Sequence, residues 1–405
     1  MQKRLFFFLI IASLASIATT RFAIDQPEIM DTRVDYVFGE QATFYATLKS
    51  EAPIEMVVIL FQEVNNPYTN YGVAQLQQTE ANTYELTYVH SMTDVSLRAF
   101  SYIDYHFEIT FQNNEVYQSP SYQFYYQDNR FEWHVREEEP FRVFWYTGDE
   151  RFAQNVLDIA QDSLLNIQSV LPLPVPSSLD IYIYDDARLL QSTLYQSNEN
   201  WIAGHADPDL GVIVVTLPSG PNQRMLSEQR IPHELMHIML YQDTNLGYVN
   251  LPTWLNEGLA SIAELYPNPD YRILLNDAVQ RNSLLSMSSL CDTFPRDAAG
   301  ALLSYAQSAS FTGYLRDAYG TNGLQALVTN YASGMDCDNG AKAALGKNLR
   351  QLERDWHRDV LSQNPGKAAL NNLLPWIILL GIVLTVQMGL VVSRMRSRTA
   401  DQPAT

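Results

Sequence analysis

The stretch Pro232-His233-Glu234-Leu235-Met236-His237 limits this chain more than any other. On an α-helix, residues four apart share a face, so His233 and His237 can aim two imidazole nitrogens at one point. Glu234 stands beside the first of them, where a carboxylate can take a proton from a water on a metal ion. Two imidazoles leave a tetrahedral zinc short of protein ligands. The fold must therefore bring a further donor against this helix from another element. That donor is found in Trp254-Leu255-Asn256-Glu257-Gly258-Leu259-Ala260-Ser261, where nineteen residues separate Glu257 from His237. Two histidines and a carboxylate also suit non-haem iron, but histidines at i and i+4 with an adjacent glutamate favour one Zn²⁺.

Together the two motifs resemble the gluzincin metallopeptidases. The second is most similar to aminopeptidase-N-like enzymes, while the nineteen-residue gap is the thermolysin spacing, one longer than theirs. The resemblance spans roughly residues 141–360 and points to the peptidase MA-like group of small secreted or membrane-tethered bacterial proteins. It implies a zincin-like α+β domain with zinc on His233, His237 and Glu257, and Glu234 as the base assisting attack of zinc-bound water on a peptide or protein substrate. Tyr305, in Tyr305-Ala306-Gln307-Ser308, is similar in position to the family's oxyanion-binding Tyr-x-x-Gly, with serine for glycine; a core tyrosine is the competing reading. Tyr314 and Tyr319 are less well placed. Glu264 matches an acid of the aminopeptidase-N-like motif and would orient a ligand imidazole, against a plain surface salt bridge. Ser261 stands where thermolysin has an aspartate, which puts that outer contact in question. His205 is either a cleft residue or an ordinary loop histidine. The Gly-x-Met-Glu-Asn element that binds a free amine is missing from the sequence, so the resemblance does not imply exopeptidase action, and an endopeptidase or specialised processing enzyme fits as well.

The two ends read as membrane signals. Residues 1–18 combine Lys3 and Arg4 with an apolar run and a small-residue cleavage site, the pattern of a signal peptide. Residues 373–392 carry no charge and are long enough for a transmembrane helix. Arg394, Arg396 and Arg398 follow, so residues 393–405 are expected in the cytoplasm and the bulk of the chain outside it. The net charge is −19. Such an acidic chain repels nucleic acid and anionic surfaces, so no nucleic-acid partner is expected. Only Cys291 and Cys337 are present. In an oxidising compartment they are expected to pair, and closing that loop would stabilise the fold by roughly 4 kcal/mol.

Residues 30–127 alternate in hydropathy and are rich in tyrosine, phenylalanine and threonine. Six or seven short strands at this spacing predict an immunoglobulin-like β-sandwich, a module for positioning or for a glycan or protein partner. A polar connector, 128–140, leads to the zincin-like domain, 140–362. Its order is expected to be strand, helix (150–170), strand, strand and metal helix, with a helical C-terminal lobe. Because proline suits only a helix's first turn, the metal helix is expected to start near Glu228. Two other functions stay open at this point: a surface recognition or adhesion protein on an inactive zincin scaffold, and a zinc hydrolase of a non-peptide amide or ester.

Overall fold

The computed structural model describes residues 26–194 and 204–361, with Leu373, Trp376 and Leu379 beyond them. The signal peptide and cytoplasmic tail expected above lie outside these residues, as does the span but for those three positions. Among the described residues no helix is long and apolar enough to cross a membrane. The chain divides into two compact units at Arg130/Phe131.

The first unit is all β. Its strands are β1 (Glu28–Val37), β2 (Gln41–Lys49), β3 (Ile54–Glu63), β4 (Asn70–Val73), β5 (Gln75–Glu80), β6 (Thr83–Ser91), β7 (Ser101–Phe111), β8 (Val116–Gln118) and β9 (Tyr122–Tyr126). They form two antiparallel sheets, β1-β2-β6-β5 and β4-β3-β7-β8, with β9 beside β8 on the same edge of β7. Alternation drives this packing: along β7 every second residue from Ser101 to Phe111 is buried. Phe44 of one sheet meets Phe61 of the other with ring centroids 5.2 Å apart, in a core shared with Leu86, Ile59 and Phe107. The expected sandwich is present, and β4, β5 and β8 are short edge strands that the alternation did not mark.

The second unit begins with β10 (His134–Glu138), β11 (Phe141–Trp145), α1 (Glu150–Val170), β12 (Leu179–Tyr184), α2 (Ala187–Leu194), β13 (Gly204–Asp207) and β14 (Val212–Thr216). The sheet order is β10-β11-β12-β14-β13, parallel through β11, β12 and β14 and antiparallel at both edges. Strands β12 and β14 are buried along their whole length, as a sheet covered on both faces requires. Helix α1 covers one face, and Phe131, Trp133 and Tyr146 pack edge-to-face against Tyr182 and Tyr184 of the other. The expected polar connector thus contributes β10 and two aromatic anchors, and the sheet starts before residue 140.

Then come α3 (Gln223–Thr244), a 3-10 turn (Asn245–Asn250), α4 (Thr253–Ile262), α5 (Pro269–Arg281), a second 3-10 turn (Met287–Leu290), α6 (Ala298–Ala332), α7 (Cys337–Leu345) and α8 (Leu349–Asp359). Helix α6 kinks at Gly320, whose φ of 69° suits glycine. Helix α3 begins at Gln223, earlier than expected, so Pro232 lies well inside it. Proline has no N–H for the carbonyl of Glu228. That carbonyl accepts instead from the backbone N–H groups of Leu265 (2.9 Å) and Tyr266 (3.3 Å), just past α4. The proline that should have opened the helix leaves an acceptor that ties α4's C-terminal end to α3.

Candidate active site

Helices α3 and α4 bring the three expected donors together. One ligand atom each from His233, His237 and Glu257 lie within 4.8 Å of one another. His233 Nε2 is 3.3 Å and His237 Nε2 3.7 Å from Glu257 Oε2. All three side chains are largely shielded from solvent. Two nitrogens and one carboxylate oxygen at this separation match the donor set that catalytic zinc sites use, with a coordination position left for substrate.

Outer groups fix each imidazole. His233 Nδ1 lies 3.3 Å from Glu264 Oε1, on buried Glu264 beyond the end of α4. His237 Nδ1 is 3.1 Å from Asn256 Oδ1 and 3.3 Å from the Tyr248 hydroxyl, which accepts from Asn256 Nδ2 at 2.9 Å. Burial alone would lower the His233 pKa, but hydrogen bonds to Glu257 and Glu264 and the charge of Glu234 outweigh it and hold it well above the ordinary value. Glu257 moves the opposite way: burial would raise it, yet His237 and His233 keep it below the usual carboxylate range. Burial pushes the Tyr248 and Tyr271 hydroxyls up, so both stay neutral.

The donors open on a cavity of about 730 Å³. Glu234 is buried on its wall against β13, where a Cβ on Gly204 would stand 2.4 Å from Glu234 Oε1. His205 also lines the cavity, its Nε2 3.2 Å from Asp207 Oδ1. Tyr305, on α6, has its ring centroid 6.2 Å from that of His233, lines the same cavity, and is the weakest of the groups that lower the Glu257 pKa. Gly258 is what lets α6 come so near: a Cβ there would stand 2.1 Å from Thr312 Oγ1. Ser261 is buried one turn beyond Glu257, beside Tyr271.

Cys291 and Cys337 form a disulfide that abuts the start of α4. The Cys291 carbonyl accepts from the Thr253 N–H at 2.9 Å, and Cys337 Sγ accepts from Trp254 Nε1 at 3.4 Å. Asn256, Tyr248, Tyr271 and Gly204 also line the cavity, and the sequence motifs do not single them out as site residues. Asn256 alone gave a signal, as the neighbour of Glu257 in its motif.

An α/β sheet edged by an antiparallel strand, with two helices converging on His, His and Glu, defines a zincin-like peptidase scaffold. The sequence model of the Peptidase MA superfamily matches residues 159–362, half of the chain, and the protein belongs to that superfamily. No curated protein matches it. Among solved structures, an aminopeptidase N family protein from Idiomarina loihiensis is similar at 10% identity and a TM-score of 0.31, over 80% of this chain and 68% of that one. Wild-type OgpA from Akkermansia muciniphila is similar at 12% identity and a TM-score of 0.21, over 26% of this chain. The chain spans 30% of OgpA's length. Purple acid phosphatase PPD1 from yellow lupin is similar at 12% identity and a TM-score of 0.21, over 52% of this chain and 40% of that one.

Proposed function

We propose that the protein is a zinc metallopeptidase anchored by residues 373–392, with the β-sandwich module (30–127) and the catalytic domain (140–362) outside the cytoplasm. The supporting observation is the convergence of His233, His237 and Glu257 in the lining of a cavity that Glu234 also lines. These three residues would hold the ion. When bound, zinc supplies Lewis acidity, lowering the pKa of water and polarising a carbonyl.

The remaining work falls to side chains. Glu234 takes the proton of the attacking water and returns it to the leaving amine. Tyr305 donates a hydrogen bond from its hydroxyl to the oxyanion that develops on the scissile carbonyl. Among the described residues strand β13 is the edge of the sheet beside Glu234, so an extended substrate can add to it as a further strand, bonded through its backbone. Gly204 keeps that approach clear of the base.

Digestion of a peptide library with and without chelator tests the reading. The wild-type protein should cleave, and chelation should stop it. Glu234→Gln should bind zinc with unchanged stoichiometry and lose hydrolysis. Undiminished cleavage by that variant would refute the role of the base.

A further inference from the structure

Arg230 lies on α3 one turn before Glu234 and lines the same cavity. The mechanism above gives it no task. One guanidinium nitrogen donates to the backbone carbonyl of Thr216, at the end of β14. Among the described residues no carboxylate reaches ion-pairing distance of it. Other arginines of the chain behave differently. Arg142 grips Asp180 through two hydrogen bonds of 2.6 and 2.7 Å, and Arg224, also on α3, reaches Glu228 four residues on at 2.7 Å. Arg230 has the same i,i+4 spacing to Glu234 and forms no such pair. Burial lowers its pKa against the charge of Glu234, the mark of a cation short of compensation.

A half-buried, uncompensated guanidinium is costly unless an anion completes it. Its five N–H donors sit in a rigid fork that matches a carboxylate bidentately, and the Thr216 carbonyl uses one end of that fork and fixes its direction. Arg230 is the only lysine or arginine among the described residues lining the cavity, whereas Glu234, Glu257 and Glu264 all line it. Apart from the position where the three donors would hold zinc, an anion is therefore accepted in the cavity at one place.

We propose that Arg230 binds a carboxylate of the substrate, so that the enzyme selects peptides with an acidic side chain, or a free C-terminal carboxylate, near the cleaved bond. This rests on the peptidase reading. The test uses one hexapeptide in four forms, with Glu or Gln beside the scissile bond and with a free or amidated C-terminus. Wild-type kcat/KM should favour one acidic form over its amide by roughly 30-fold or more, the loss expected when one partner of a buried charge pair is removed. The favoured form tells the side chain from the terminus. Arg230→Met should bring that acid-to-amide ratio to about one, and Arg230→Lys should restore part of it, with zinc content equal to wild type in both.

The proposal is overturned if wild type shows no acid preference. It is also overturned if Arg230→Met lowers kcat for all four forms alike, which would make Arg230 a partner of Glu234 only. Should wild type cleave none of the peptides, the peptidase reading fails, and calorimetric binding of the four forms to Glu234→Gln then decides. Tighter binding of an acid than of its amide, lost on adding Arg230→Met, upholds the carboxylate site; equal binding removes it.

Discussion

His237 is oriented by a small closed set of groups. Asn256 presents its amide oxygen to Nδ1 and donates through its Nδ2 to the Tyr248 hydroxyl, which itself lies against Nδ1. With Nδ1 so engaged, Nε2 is left to face Glu257. Asn256→Ala frees the ring to turn. Its metal affinity should fall about 10- to 100-fold, measured by competition with a chromophoric chelator, while the folded far-UV spectrum is kept; unchanged affinity would mean that the helix alone orients the ligand. The grouping of His233, His237 and Glu257 can be read from the sequence because helical spacing is local and Glu257 carries its own motif. Tyr248 and Gly204 cannot, because they enter the site only through tertiary packing. Arg230 is one helical turn from the motif, yet nothing in sequence separates an arginine that faces a cavity from one that faces water.

Helix ends and helix ties belong to the next scale. Helix α1 was read correctly from its apolar periodicity, and Asp149 caps it by accepting from the Phe152 N–H at 3.0 Å. That hydrogen bond, aided by Arg151, lowers the Asp149 carboxyl below its ordinary value of 3.8. The folded state therefore binds fewer protons than the unfolded chain between the two values. The stabilisation is present above 3.8 and lost as pH falls through the folded value. Asp149→Asn keeps the cap acceptor and removes the titration. The Tm gap between wild type and variant should be constant above about pH 5 and close in stronger acid; a gap independent of pH would contradict this. The start of α3 was misread for a physical reason. A proline inside a helix is penalised for the carbonyl it leaves unpaired, but the Glu228 carbonyl is satisfied by Leu265 and Tyr266, more than thirty residues away. No local rule can see that partner.

For the molecule as a whole, two-residue alternation runs through the first compact unit, before Arg130, and strands mixed with helical repeats through the second. Their boundary was blurred because Phe131 and Trp133, set in a polar run, pack on the second sheet. Cysteine pairing was legible by count alone, but its position was not. The sulfur bridge is mortared against the first turn of the helix that carries Glu257. On the metallopeptidase proposed above, grip on the ion would thereby be linked to the redox state of the surroundings. The double substitution Cys291→Ser with Cys337→Ser should weaken zinc retention during dialysis at temperatures where circular dichroism still reports an intact sheet. In a thiol-rich medium the proposed catalyst would fall silent well before it came apart, whereas oxidising surroundings would keep it armed.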